Sequence, residues 1–157
     1  MIEDFLQTDG ACAVGSYQSL YLNSWSGEAT LSRLTQVREH RKQFLARVEG
    51  PIFSISLLYQ TKLKLMPKES RLMVEEINRD ANGRFVGEAY YVKAGGLLIS
   101  SVRFLLAGLR LVNRLKTPLE VFGDLPGAVH WLAAQSKLSE EDLRAAVEEF
   151  TRRSGQA

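Results

Sequence analysis

The chain carries few side chains suited to catalysis, and their placement argues against an active centre. It has two histidines, His40 and His130, and one cysteine, Cys12. His40 lies in the basic run Glu39-His40-Arg41-Lys42, which reads as a solvated helix face. His130, beside Trp131, reads as a packing residue at a helix edge, since a general base needs a partner within hydrogen-bond reach and no neighbour in sequence supplies one. Cys12 sits among small residues of a strand with nothing adjacent to lower its pKa, so it reads as an inert core thiol. No Cys or His pair has metal-ligand spacing, and the acids are scattered or fall in helix first turns. Neither a metal nor a cofactor is therefore expected. Gly83-Arg84-Phe85-Val86-Gly87 and Ala94-Gly95-Gly96 lack the form of a nucleotide loop. The Gly95-Gly96 turn sets backbone amides at a helix start, an arrangement that also serves a tight strand-to-helix turn.

The cations are more informative. Arg103, Arg110 and Arg114 fall at i, i+7 and i+11 around the small Ala107, which puts them on one helix face, and Lys116 extends the charge. This stripe reads either as a solvated face or as a docking surface for an acidic protein or an anionic head group. A second group, Lys62, Lys64, Lys68 and Arg71, spans a loop and the opening of the next helix. Cations there oppose the helix dipole, and loops at the carboxyl ends of strands are where α/β sheets place ligands.

These residues need a scaffold, and the hydrophobic pattern supplies one. Strand-like runs at Ala11 to Tyr17 and Leu20 to Ser26 are separated by Gln18 and Ser19, a hairpin-sized gap. From Glu28 to Val48, Leu31, Leu34, Val37, Phe44, Leu45 and Val48 recur at helical spacing before Gly50 and Pro51 stop the helix. Ile52 to Tyr59 alternates: Phe53, Ile55 and Leu57 face one way, Ser54 and Ser56 the other, so the serine face is expected to be exposed or closely approached. Pro67 opens a second helix that Asn82 and Gly83 end. Arg84 to Val92 is a strand with Phe85, Gly87, Ala89 and Tyr91 on one face and Val86 and Tyr90 on the other. A third helix, Leu97 to Leu115, carries the apolar stripe Leu98, Ile99, Val102, Leu105, Leu106, Leu109 and Val112. A short strand, Leu119 to Phe122, precedes a helix capped by Asp124, and Ser139 with Glu140, Glu141 and Asp142 starts the last one. Strands alternating with helices predict an α/β domain: a mixed, mostly parallel sheet of about five strands, helices mainly on one face, and a separable C-terminal helix over 139–153.

With 157 residues, one domain over 1–157 is expected, and 45% apolar with 24% charged residues excludes a disordered or collagen-like chain. Lys and Arg number 20 against 18 acids, too balanced for a general nucleic-acid binder. One cysteine makes no internal disulfide, which favours a reducing compartment. Glu3 and Asp4 are unlike a signal peptide, and Arg103 and Arg110 interrupt the most apolar stretch, Ala94 to Val112. A cytoplasmic chain that does not span a membrane is expected.

The element order, together with Trp25-Ser26-Gly27 before the first helix, Pro67-Lys68-Glu69-Ser70-Arg71 opening the second, Arg103 in the third, Val121-Phe122, and Ala128-Val129-His130-Trp131-Leu132, resembles the STAS family of sulfate-transporter and anti-sigma-factor-antagonist domains in its divergent, STAS/SEC14-like bacterial form. The resemblance covers Ala11 to Leu132, within a core over 11–134. It implies a superhelix of βα units with no catalytic activity, acting in bacterial signalling through contact with another protein. Partner-binding residues are then expected among Arg103, Arg110, Arg114, Lys68 and Arg71, and self-association stays open. Family members of the usual type carry a phosphorylated serine in Asp-Ser-x-Gly. The matching stretch here, Gln60 to Pro67, lacks that motif, leaving Thr61 and Ser70 as candidate phospho-acceptors. The SEC14-like form implies the alternative, a domain that binds a lipid or another small molecule.

Overall fold

The computed structural model describes residues 1–62, 64–113 and 116–156, with 112 and 113 described by backbone only. The chain forms an α/β domain around one mixed six-stranded sheet. The strands are β1 (Glu3–Thr8), β2 (Cys12–Tyr17), β3 (Leu20–Trp25), β4 (Ile52–Leu58), β5 (Phe85–Val92) and β6 (Leu119–Phe122), adjacent in that order. The first three pair antiparallel, and β3 through β6 run parallel. The helices are α1 (Leu31–Arg47), α2 (Lys68–Asp80), α3 (Gly96–Asn113), α4 (Leu125–Ser136) and α5 (Glu140–Arg153).

Because the parallel strands are added always on the same side, crossovers of one hand deliver α1, α2 and α3 to the same face. Leu34, Val37 and Phe44 of α1 and Ile77 of α2 pack there against Tyr21, Trp25, Ile52 and Phe85. Val102 of α3 packs farther along, on Val92 and Val121. The chain then turns back over the opposite face, where α4 and α5 bury Val129, Leu132, Val147 and Phe150 on Leu20, Leu22, Phe53, Ile55 and Leu57. Three helices thus share one face, and two close the other.

Local chemistry explains the boundaries. Thr30, Asp124 and Ser139 each accept a hydrogen bond from a backbone amide in the first turn of α1, α4 and α5 respectively. The α1 C-terminus has an unusual cap: Arg84, just before β5, donates to the carbonyls of Leu45, Val48 and Gly50. Gly95 and Gly96, at φ 63° and 55°, turn β5 into α3 through backbone that side chains resist.

Three differences from the sequence reading have physical causes. Strand β1 precedes the expected first strand; a bulge around Asp4, at φ 49°, breaks its alternation and hides its periodicity. A second bulge, at Val86, puts Phe85 on the α1 face with Ile52, while Gly87 and Ala89 stay on the α4 face. Helix α5 is no appendage, for Leu143, Ala146, Val147 and Phe150 are fully buried. At Gly15 of β2 a Cβ would lie 2.9 Å from Ile2 Cγ2 and touch the Phe150 ring at 3.4 Å, so the absence of a side chain there lets the N-terminal segment lie close beneath this helix. Truncating Phe150 to Ala is expected to cost about 3–5 kcal/mol, like other large-to-small core changes. Urea denaturation measures this, and a loss below about 1 kcal/mol would make α5 peripheral.

Candidate functional site

Strand β4 is central and covered on both faces, yet the two middle residues of one face, Ser54 and Ser56, are small. In a sheet wrapped on both sides such positions normally carry branched apolar side chains. Ser54 and Ser56 are buried, not exposed, and above them α1, α2 and α3 stand off the sheet around a cavity of about 280 Å³.

The cavity floor follows from strand register. One rung places Asn23, Ser56 and Tyr90 side by side across β3, β4 and β5; the next places Tyr21, Ser54 and Glu88. The floor is hydrogen-bonded within itself. The Trp25 indole donates to Asn23 Oδ1 at 3.0 Å, and the Asn23 amide donates to Ser56 Oγ at 3.0 Å. Ser54 donates to Glu88 Oε1 at 3.5 Å, a long contact. The walls are helical stripes at i, i+3, i+4 and i+7: Leu34, Val37 and Arg41 from α1; Val74, Ile77 and Asn78 from α2; Val102, Leu105, Leu106 and Leu109 from α3.

Arg41 is the anomaly in this wall. Its residue is 8% exposed, and Nε, fully enclosed, has no hydrogen-bond partner. No ion pair among the described residues includes it. The guanidinium lies over the Phe85 ring, 4.3 Å from its centroid. Burial disfavours its charged form and pulls its pKa down, against the nearby Tyr21, Glu88, Tyr90 and Asp80. Glu88 shows the converse. Burial raises its carboxyl above the usual carboxylate range, opposed by Arg41, the Ser54 hydroxyl and Arg110.

The residues singled out from sequence fall elsewhere or divide. Arg103 is exposed but turns one Nη back to the carbonyl of Val121, at 3.1 Å. Arg110 is half-buried and close enough to Glu88 to favour its ionised form, so the two arginines are not one free stripe. Arg114 lies outside the described residues. The outward face of α3 is instead apolar: Leu97, Phe104 and Leu111, at i, i+7 and i+14, are 88%, 80% and 81% exposed. Lys68, Arg71 and Thr61 are exposed, and Lys64 is paired with Glu28 at 2.7 Å. Ser70 is buried at 2% exposure, out of reach of a kinase while α2 is formed.

His40 is a correction. It is buried, accepting at Nδ1 from the Tyr21 hydroxyl at 3.3 Å, while Nε2 donates to the Asp4 carbonyl that the β1 bulge takes out of the ladder. His130 is exposed and meets Glu140 across α4 and α5 at 3.0 Å. Cys12 is buried, and desolvation pushes its thiol up to about 12. No group of three or more metal-ligating side chains occurs among the described residues, and no helix among them is long and apolar enough to cross a membrane.

Sequence reasoning missed Arg41 and Glu88. The signal for Arg41 was present: it occupies the one charged position on the buried α1 stripe between Val37 and Phe44, at the spacing of a core residue. Glu88 alternates in phase with Tyr90, beyond the Val86 bulge.

No family model, no curated protein and no solved structure matches the chain.

A carboxyl whose native pKa exceeds its unfolded value stabilises the fold fully below the unfolded pKa and loses that contribution as pH rises through the native one. Relative to Glu88→Gln, the wild-type protein is therefore expected to lose stability as pH rises from about 4 through the raised native value. Denaturant midpoints of both proteins across that range check it; a constant difference would mean that Glu88 titrates as it does in the unfolded chain.

Proposed function

We propose that this domain is a non-catalytic receptor for a small, mainly apolar molecule, bound between the sheet and α1, α2 and α3. The cavity over Ser54 and Ser56 carries this reading: about 280 Å³, near the lower end of small-molecule sites, with apolar walls and a few polar groups at its base. The Ser54 hydroxyl meets the Glu88 carboxyl there only at a long 3.5 Å, and burial favours the neutral carboxyl, a poor base, which favours binding over turnover. The test is a titration of the full chain with 1-aminoanthracene, a neutral fluorescent probe. Saturable binding is expected in the wild type, and Ser56→Leu, which fills the floor, is expected to weaken it at least about tenfold while leaving the circular dichroism spectrum unchanged. Equal affinity in the two proteins would discard the cavity as the site.

A second reading is a STAS-like regulatory module that works by contact with another protein. The apolar outer face of α3 favours it, because Leu97, Phe104 and Leu111 leave three large side chains in solvent beside Arg103. A photo-crosslinking residue at Phe104 is expected to trap one discrete protein adduct in cells, whereas one at Arg79, exposed on α2, is not. Matching adducts, or none, at both positions would remove that surface as the interface.

A further inference from the structure

We propose that the ligand is a monocarboxylic acid with an apolar body, its carboxylate received by Arg41 and its body lying between α1 and α3. The inference rests on the cavity reading above and specifies the ligand's head group. A guanidinium enclosed without an ion pair is costly, for desolvation takes several kcal/mol that a partner normally returns. Here the Phe85 ring covers one face of the group and offsets a part. What remains unused is the end of the guanidinium: Nε is closed off and has no acceptor, while Nη1 and Nη2, also without a hydrogen bond among the described residues, are the atoms left to face the cavity that Arg41 lines. The paired Nη–H donors form the fork that a planar carboxylate fills end-on with both oxygens.

The surroundings select charge and size. Arg41 lines the main cavity and also a smaller void of about 40 Å³, and Asn78 and Glu88 border both, so the polar end of the site lies at this junction. Each negative charge brought beside Glu88 opposes its ionisation, and one carboxylate does so less than a doubly ionised phosphate, which favours the carboxylate. Away from Arg41 the walls are Leu34, Val37, Leu105, Leu106 and Leu109, an apolar lining that holds a hydrocarbon chain or ring and gives a fully polar acid nothing to bind.

Three probes of one chain length test this: octanoate, 1-octanol and octylamine, each displacing 1-aminoanthracene from the full chain. Octanoate is expected to displace the dye at a concentration at least about tenfold below that of octanol, and octylamine at the highest. Arg41→Met, which keeps the length and apolar stem, is expected to erase the octanoate preference while octanol is unaffected, and Arg41→Lys to retain part of it. Glu88→Gln is expected to strengthen octanoate alone, a readout that stands even where Arg41→Met does not fold. Equal displacement by octanoate and octanol in the wild type overturns the carboxylate assignment and leaves the cavity reading intact. Preference retained in folded Arg41→Met also overturns the assignment. Saturable dye binding that none of the probes displaces overturns it as well, and absence of dye binding overturns both readings.

Discussion

Side-chain volume at the middle of β4 controls the architecture around it. Phe53, Ile55 and Leu57 fill the face under α4 and α5 completely, whereas Ser54 and Ser56 leave the opposite face short of volume. Close packing is the default for protein interiors, so a shortfall in a central strand persists only where the covering helices are held away from it. The neighbouring strands do not refill the space with branched carbons. They bring Asn23, Tyr21, Glu88 and Tyr90 to the same rungs, and Asn23 and Glu88 are satisfied in part by hydrogen bonds with Ser56 and Ser54. A polar floor beneath apolar helices is the result.

Helix α1 holds over that floor the one buried cation without a partner among the described residues, and it is pinned along its length. Arg33 pairs with Asp9 near its start at 3.0 Å, Arg38 with Asp80 at 2.8 Å and with Glu76 midway, and Arg47 with Glu3 and Asp4 at its end. Arg84 receives the terminal carbonyls, and buried His40 ties the helix to the β1 bulge. Exposed pairs of this kind add little stability one by one. Together they set the height and rotation of the helix, and so the direction of Arg41. Helix α3 is anchored differently, by Val102, Ile99 and Leu106 on the edge of the sheet, with its outer apolar face uncovered.

Much of the scaffold was legible in the sequence because it rests on local signals. Asp124 and Ser139 announce helix starts, Gly50-Pro51 and Asn82-Gly83 announce ends, and strand-helix alternation points to a largely parallel sheet. What escaped depended on long-range geometry. Period-two reasoning leaves the serines of β4 on a face either exposed or closely approached, since alternation alone cannot tell solvent from a cavity. The two bulges shift alternation by one residue, which hid β1 and moved Phe85 to the other face. A basic run such as Glu39 to Lys42 reads as solvated by composition, although helical phase carries His40 and Arg41 inward. The candidate site was therefore less legible than the fold that holds it.

The docking of α5 sets a schedule for folding during synthesis. Its Glu149 carboxylate accepts from the Ile2 amide, and Arg153 donates to the Ile2 carbonyl, contacts that join residues 147 and 151 positions apart. The Phe5 and Phe150 rings meet edge to face at 5.8 Å. The antiparallel strands β1 to β3 leave the ribosome before the rest of the domain, and one of their faces stays bare until the last described helix has emerged, a wait of roughly six to twenty-five seconds at ordinary elongation rates. During that interval the β1 edge and the apolar side chains of Leu20 and Leu22 lack the cover that α5 brings, so this topology lengthens the stage at which the nascent chain is open to aggregation.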